Sequence, residues 1–266
     1  MSTAHGRAIA DRSTTALADQ LTVGSIVLLP IGATEQHGPH LPVTTDTLLV
    51  ERLVTQVVAD VGEDLDLWQL PTLSVGRSAE HGATAGTLSL STATLQAVLD
   101  DLASSVASWP VTRLVLVNGH GGNTPVLDAA CRDLRIAHDL GTFLLRPMAS
   151  LSPPKRLLDH DHPEVHGGAV ETSLMLHTAP DLVDMDRATP GPTTLPDSFE
   201  HVRFGGSVAF GWTMADVADG GIVGDPTRAD ADAGRTMFEH ATGRLGEQLT
   251  EIARFGPAGP RPEEGR

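Results

Sequence analysis

The 266-residue sequence predicts an α/β fold with a mainly parallel sheet. Three observations lead there. Short apolar runs alternate with segments of helical periodicity, the pattern of a sheet crossed by helices. Leu114-Val115-Leu116-Val117 is continuously apolar rather than alternating, as in a parallel strand covered on both faces. Polar clusters rich in His and carboxylate follow the predicted strands, and open α/β sheets place their ligands at the carboxyl ends of strands.

The elements follow in order. Ser25 to Pro30 reads as the first strand. Asp46 to Ala59 reads as a helix, with Leu49, Val50, Leu53, Val54 and Val57 on one face. Leu67 to Leu73 is the second strand, at an edge or bent because Pro71 lacks a ladder donor. Ser91 is placed to cap a helix carrying Leu95, Val98, Leu99, Leu102 and Val106. Arg113 to Val117 is a strand, Asn123 to His138 a helix and Thr142 to Leu145 a strand. Ser150 to Pro163 is a loop, and His160 and His162 within it are candidates for a lid. Gly168 to His177 is a short helix, and 187–210 is irregular. Asp225-Pro226 supplies an N-cap and a proline at the first helical position, so the last helix should start there and run to about Ile252. Residues 1–255 are expected to form one domain, and the Pro/Gly/charged stretch 256–266 a disordered tail.

Composition narrows the function. The net charge of −16 argues against nucleic-acid or anionic-membrane partners, which call for basic patches. Lys155 is the only lysine, and no phosphate-loop motif occurs. No apolar run approaches the length of a membrane-spanning helix, and Met1 to Gln20 lacks a signal-peptide core. The single Cys131 cannot form an internal disulfide, so a cytoplasmic location is expected. No Gly-x-Ser-x-Gly elbow is present, Cys131 falls within a helix, and there is no tyrosine for acid–base chemistry.

The chemistry lies in clusters. In Ala33-Thr34-Glu35-Gln36-His37-Gly38-Pro39-His40-Leu41-Pro42-Val43, Glu35, His37 and His40 are candidate metal ligands, with Asp46 close behind. Carboxylate oxygen beside imidazole nitrogen suits Zn, Mn or Fe(II). Glu35 and His37, two apart on extended chain, face the same side. Asp46 opens a helix, so it serves either as an N-cap or as a ligand bridging two ions. Asn118-Gly119-His120-Gly121-Gly122-Asn123 follows the best strand; its glycines allow a close approach to a phosphate, but its central His favours a metal. In His166-Gly167-Gly168-Ala169-Val170-Glu171, the glutamate is either a partner for the helix dipole or a ligand. Glu80-His81 follows the second strand and is a candidate pocket lining. His138, His201 and His240 are expected to face solvent, and His177 to end its helix.

In these three clusters the sequence resembles the creatininase (creatinine amidohydrolase) family. The resemblance runs from about Ser25 to the final helix. It implies a creatininase-like α/β/α fold, two divalent metal ions per subunit (Zn first, Mn or Fe as alternatives), a homohexamer, and hydrolysis of a carbon–nitrogen bond other than a peptide bond. Transferred by position, Glu35 and His120 hold one metal, His37 and Glu171 the other, and Asp46 bridges. His166 falls where the family has a catalytic histidine, as proton donor to the leaving nitrogen. Glu80, His81, Gly121 and Asn123 are expected to contact substrate. Creatininases proper carry a Glu where this chain has Gly122, and tryptophans in a stretch where this chain has none between Trp109 and Trp212. The substrate implied is therefore a small amide or cyclic amide other than creatinine. The alternatives are a peptidase of the mycofactocin-precursor type and a non-catalytic, oligomeric metal-binding protein.

Overall fold

The computed structural model describes residues 6–158, 163–196 and 198–255. After a short helix, α1 (Thr14–Gln20), the chain alternates β1 (Ile26–Ile31), α2 (Thr45–Val61), β2 (Leu67–Gln69), α3 (Thr92–Ala107), β3 (Arg113–Asn118), α4 (Thr124–His138) and β4 (Gly141–Leu145). Then come α5 (Ala169–Thr178), the single turn α6 (Met214–Val217) and the long α7 (Ala231–Arg254). The four strands pair in parallel in the order β2-β1-β3-β4.

Alternation along the strands builds the layers. Ile26, Leu28, Val115 and Val117 point to one side, where α2, α5 and α7 pack. Val27, Leu29, Ile31, Leu114 and Leu116 point to the other, against α3 and α4. Both β1 and β3 are therefore apolar at nearly every position, as the sequence suggested, and the three-layer α/β/α architecture with a parallel sheet is the one observed.

Strand order reverses between β1 and β3, because the chain leaves β1 in one direction for β2 and comes back to β3 on the other side. Loops leaving the carboxyl ends of two such strands diverge and open a crevice. The loops after β1 and β3 carry the first two polar clusters.

Several boundaries differ from expectation. The second strand stops at Gln69 instead of Leu73: Leu70 N and Leu73 N still donate to Leu28 and Pro30 carbonyls (2.9 Å each), but Pro71 between them has no N–H to give. It is an edge strand, as its proline required. The last helix starts at Ala231, not at Asp225. Asp225 caps only the 3-10 turn Pro226–Arg228, and Asp230, whose carboxylate accepts from Asp232 N and Ala233 N, caps α7. Ser91 caps α3 through Thr94 N, as anticipated. Helix α1, capped by Ser13, was not anticipated. His138 is half-buried rather than solvent-facing, since its Nε2 pairs with Asp100 at 2.7 Å. His160, His162 and the tail 256–266 lie outside the described residues.

Candidate metal centre

The loop after β1 leaves the sheet under tight constraint. A side chain on Gly32 would lie 2.5 Å from Thr47 Cα, so only glycine lets the loop pass this close to α2. Thr47 Oγ1 donates to the Ala33 carbonyl (2.8 Å), and Glu35 N donates to the Val43 carbonyl (2.8 Å). These bonds turn Glu35 and His37 inward, where each is 1% exposed. Asp46 lies in the first turn of α2 and is 3% exposed. The cap position belongs to Thr44, so the capping reading of Asp46 does not hold.

His120 enters from β3. Gly119 N donates to the Ile31 carbonyl (2.8 Å), and His120 N donates to Asn118 Oδ1 (3.1 Å). Glu171 enters from the first turn of α5, where its Oε2 accepts from Gly167 N (2.7 Å). A backbone N–H near a helix start suits a carboxylate there.

These side chains converge. Asp46 Oδ1 is 3.4 Å from His37 Nε2, and Asp46 Oδ2 is 2.9 Å from His120 Nδ1. Glu35 Oε2 is 3.2 Å from His120 Nε2, and Glu171 Oε2 is 3.9 Å from His37 Nε2. Three sets of ligand atoms gather within 4.8 Å: Glu35, Asp46 and His120; His37, His166 and Glu171; Glu35, His81 and His166. All five residues expected as metal ligands thus face one site, beside His166 and His81.

His40 does not join them. Its Nε2 meets Thr172 Oγ1 at 2.9 Å, tying the loop to α5, and it belongs to none of the three sets. Asn123, expected at the substrate, is fully buried instead. Its amide donates to the Gly32 carbonyl (3.0 Å) and its oxygen accepts from Arg77 N (2.8 Å), so it braces the loops from behind. Gly121, Glu80 and His81 do line the crevice, a cavity of about 710 Å³ floored by the acids and histidines. Phe210, Gly211 and Trp212 form its far wall.

The donor set fits divalent metal. Glu35 Oε1, Glu35 Oε2, His37 Nε2 and Asp46 Oδ2 are buried and take no hydrogen bond. Among the described residues, Glu35, Asp46 and Glu171 meet positive charge only from imidazoles. Buried carboxylates without donors are costly, and a cation supplies what they lack. The protonation states carry the same message. Burial opposes charge on His37, yet Asp46, Glu171 and Glu35 outweigh it and push it up to about 10. His120 is likewise pushed up to about 9, burial being overcome by Asp46 and Glu35. Burial raises Glu171 to about 7 against the pull of His37. His166 goes the other way: burial first, then His37 and His81, hold it well below the usual value.

Three features escaped the sequence reading. His81 joins a ligand set with Glu35 and His166. Gln36 Nε2 lies 2.9 Å from His81 Nδ1 and 3.0 Å from the Gly221 carbonyl, and its own carbonyl meets His166 Nε2 at 2.7 Å. Trp212 lines the cavity from just past the irregular segment 187–210, where no site residue was expected.

The chain is similar to known proteins. The family model described as creatinine amidohydrolase matches residues 10–249. A mycofactocin precursor peptide peptidase of Mycolicibacterium smegmatis is 38% identical over 217 residues, covering 80% of this chain and 79% of the relative. A creatinine amidohydrolase of Pseudomonas putida is 35% identical over 185 residues, covering 63% and 69%. Among solved structures, a manganese form of creatininase matches with TM-score 0.74 at 27% identity, covering 94% of this chain and 99% of that one. A creatininase mutant of Zn–Zn type matches with TM-score 0.75 at 27% identity, covering 94% and 98%. With nearly the whole chain matched by its model, the protein belongs to the creatininase (creatinine amidohydrolase) family.

Proposed function

We propose that this chain is a two-metal hydrolase that cleaves the carbon–nitrogen bond of an amide within a peptide. The observation that carries the hydrolase reading is Asp46, whose two oxygens face His37 and His120 on opposite sides. Glu35 and His120 would hold one ion, His37 and Glu171 the other, and Asp46 both. Bound there, two divalent ions would polarise a carbonyl and lower the pKa of water toward neutrality.

The chain's own residues account for the rest. His166 is buried and held neutral, so it takes a proton from the attacking water and passes it to the departing nitrogen. The Gln36 carbonyl, 2.7 Å from His166 Nε2, fixes that nitrogen as the N–H and turns Nδ1 toward Glu35. Phe210 and Trp212 add apolar surface to the cavity lining.

A peptide is favoured over a small ring by shape and by likeness. A second cavity of about 300 Å³ adjoins the first across Met148, Val165, His166 and Glu171. Space on both sides of the reacting groups suits an extended chain, and the 38%-identical relative is named as a peptide peptidase. The small cyclic amide remains the second reading, supported by the 35% identity to a creatinine amidohydrolase.

The test is elemental analysis followed by turnover. Purified protein should hold about two Zn, Mn or Fe per chain. When loaded, it should release fragments from a mycofactocin-type precursor peptide and leave creatinine intact. Release from creatinine or hydantoin alone would establish the second reading. A folded protein that binds no metal would refute both, and one that binds metal but turns over nothing would be a binding protein.

A further inference from the structure

Gly122 and Glu80 occupy one space. A methyl group on Gly122 would overlap Glu80 Oε1 and would lie 2.5 Å from both the Arg77 carbonyl and His120 Nε2. Overlaps of that size cannot be absorbed by the backbone carbonyl, so any side chain at 122 must drive the Glu80 carboxylate out. The glycine therefore does more than shape a turn: it admits a carboxylate borne by a different loop, the 3-10 turn Ala79–His81.

Once admitted, that carboxylate is only half used. Oε2 pairs with Arg77 Nη1 at 3.4 Å. Oε1 stands 3.7 Å from His120 Nε2, which is already engaged with the Arg77 carbonyl at 2.9 Å. Among the described residues Oε1 receives no hydrogen bond. Its side chain is 13% exposed, and it lines the large cavity together with His120 and Trp212. A sequestered acceptor with a free lone pair, held in place by a guanidinium and walled by an aromatic ring, selects a ligand that brings an N–H.

We propose that Glu80, admitted by Gly122, is the specificity-determining acceptor of this cavity and receives an amide N–H of the substrate on the His120 side. Arg77, 37% exposed, lies next to it and offers donors to the carbonyl of the same amide unit. The pair thus reads both polar groups of a secondary amide, and an N-substituted amide leaves Oε1 unpaired. Discrimination by a buried acceptor left without its donor is larger than discrimination by shape alone. This rests on the amide-hydrolase reading above and adds the feature by which that site chooses its amide.

The experiment reads binding, so it does not depend on turnover. Zinc-loaded protein is titrated with N-acetylglycine N-methylamide and with its fully N-methylated counterpart, and each dissociation constant is measured by ligand-observed NMR. Wild-type protein should favour the N–H form by about tenfold or more, the worth of a hydrogen bond to a charged group. Glu80→Ala should erase the preference, and Glu80→Gln, which keeps an acceptor oxygen, should retain part of it. Gly122→Ala should erase it as well, and the double variant Glu80→Ala with Gly122→Ala should bind no more weakly than the weaker single variant. Zinc content should be the same in wild type and the Glu80 single variants, and the Gly122→Ala forms, whose methyl also crowds His120 Nε2, are compared per zinc-loaded chain. A wild-type preference under about twofold, a preference that survives Glu80→Ala, or losses that multiply in the double variant would each overturn the proposal. A protein that shows the preference but hydrolyses nothing would defeat the reading of the reaction and leave this one standing.

Discussion

His37 Nε2 lies 3.4 Å from Asp46 Oδ1, with the two side chains 0% and 4% exposed. His37 lies in the loop that follows β1 and Asp46 in the first turn of α2, and the other oxygen of Asp46 faces His120, which follows β3. A carboxylate so placed would help to hold both ions of a two-metal site. Asp46→Asn preserves volume and removes the charge. Metal affinity should fall at least about 100-fold, beyond what loss of an outer-sphere partner costs. Elemental analysis after dialysis against a chelating buffer checks this; a variant that keeps two ions contradicts the bridge.

His166 stands apart from the ligands in its protonation. It is buried among His37, His81 and Gln36, with ring centroids 4.2 Å from His37 and 4.4 Å from His81. Its position in two of the three ligand sets makes it either a ligand or a proton carrier. His166→Asn should lower kcat by about 10²–10⁴-fold, the usual worth of a general acid–base group, with both ions retained. Loss of an ion in parallel with activity would make it a ligand instead.

Much of this was legible in the chain. The strands were readable because both faces of β1 and β3 are covered, which leaves no polar position to break the runs. The candidate ligands were readable because His and carboxylate followed those strands within a few residues. His40 misled for a physical reason: Gly38 at φ +70° followed by Pro39 reverses the chain, so the alternation that aims Glu35 and His37 inward ends before His40. Asp225 and Asp230 both carry a cap signal, and Pro226 fits a 3-10 turn as well as a helix start. Gln36 and Trp212 had no local signal at all, because the neighbours that matter are distant in the chain: Gln36 meets His81, His166 and Gly221, 45, 130 and 185 residues away, and Trp212 shares the cavity with Glu35 and His120.

The pH dependence of the metal-free protein follows from the same charges. His37 and His120 are raised from the usual 6.5 to about 10 and about 9. A raised folded value means that their contribution to stability is complete below about 6.5 and is lost as pH climbs through 9 to 10. Glu171, raised from 4.5 to about 7, acts in the same direction, complete below its unfolded value and gone above about 7. The melting temperature in chelator should therefore be lower at pH 9.5 than at pH 6.5. Zinc should tighten over that interval, since its ligands must be deprotonated. Calorimetry with and without zinc checks both signs; a metal-free protein that gains stability across this range would be inconsistent with the charged imidazoles.

Gly234 governs the seat of α5, and through it Glu171. A methyl group at 234 would strike the Ser173 carbonyl and lie 3.1 Å from Leu174 N, so α7 and α5 touch backbone to backbone there. Asp230 N, donating to Ser173 Oγ at 2.9 Å, fixes the same contact one turn earlier. Gly234→Ala must push α5 away, at a cost of about 1–3 kcal/mol for overpacking, against less than about 1 kcal/mol gained in helix propensity. Gly243, nine residues on in the same helix, has open space at its Cβ. Gly243→Ala should therefore be neutral or stabilising by up to about 1 kcal/mol, which isolates packing from propensity. Urea denaturation of the two variants should move in opposite directions. Because α5 carries Glu171 but neither Glu35 nor His120, Gly234→Ala should also weaken the ion held by His37 and Glu171 before the other, and stepwise zinc titration will show whether the two sites separate.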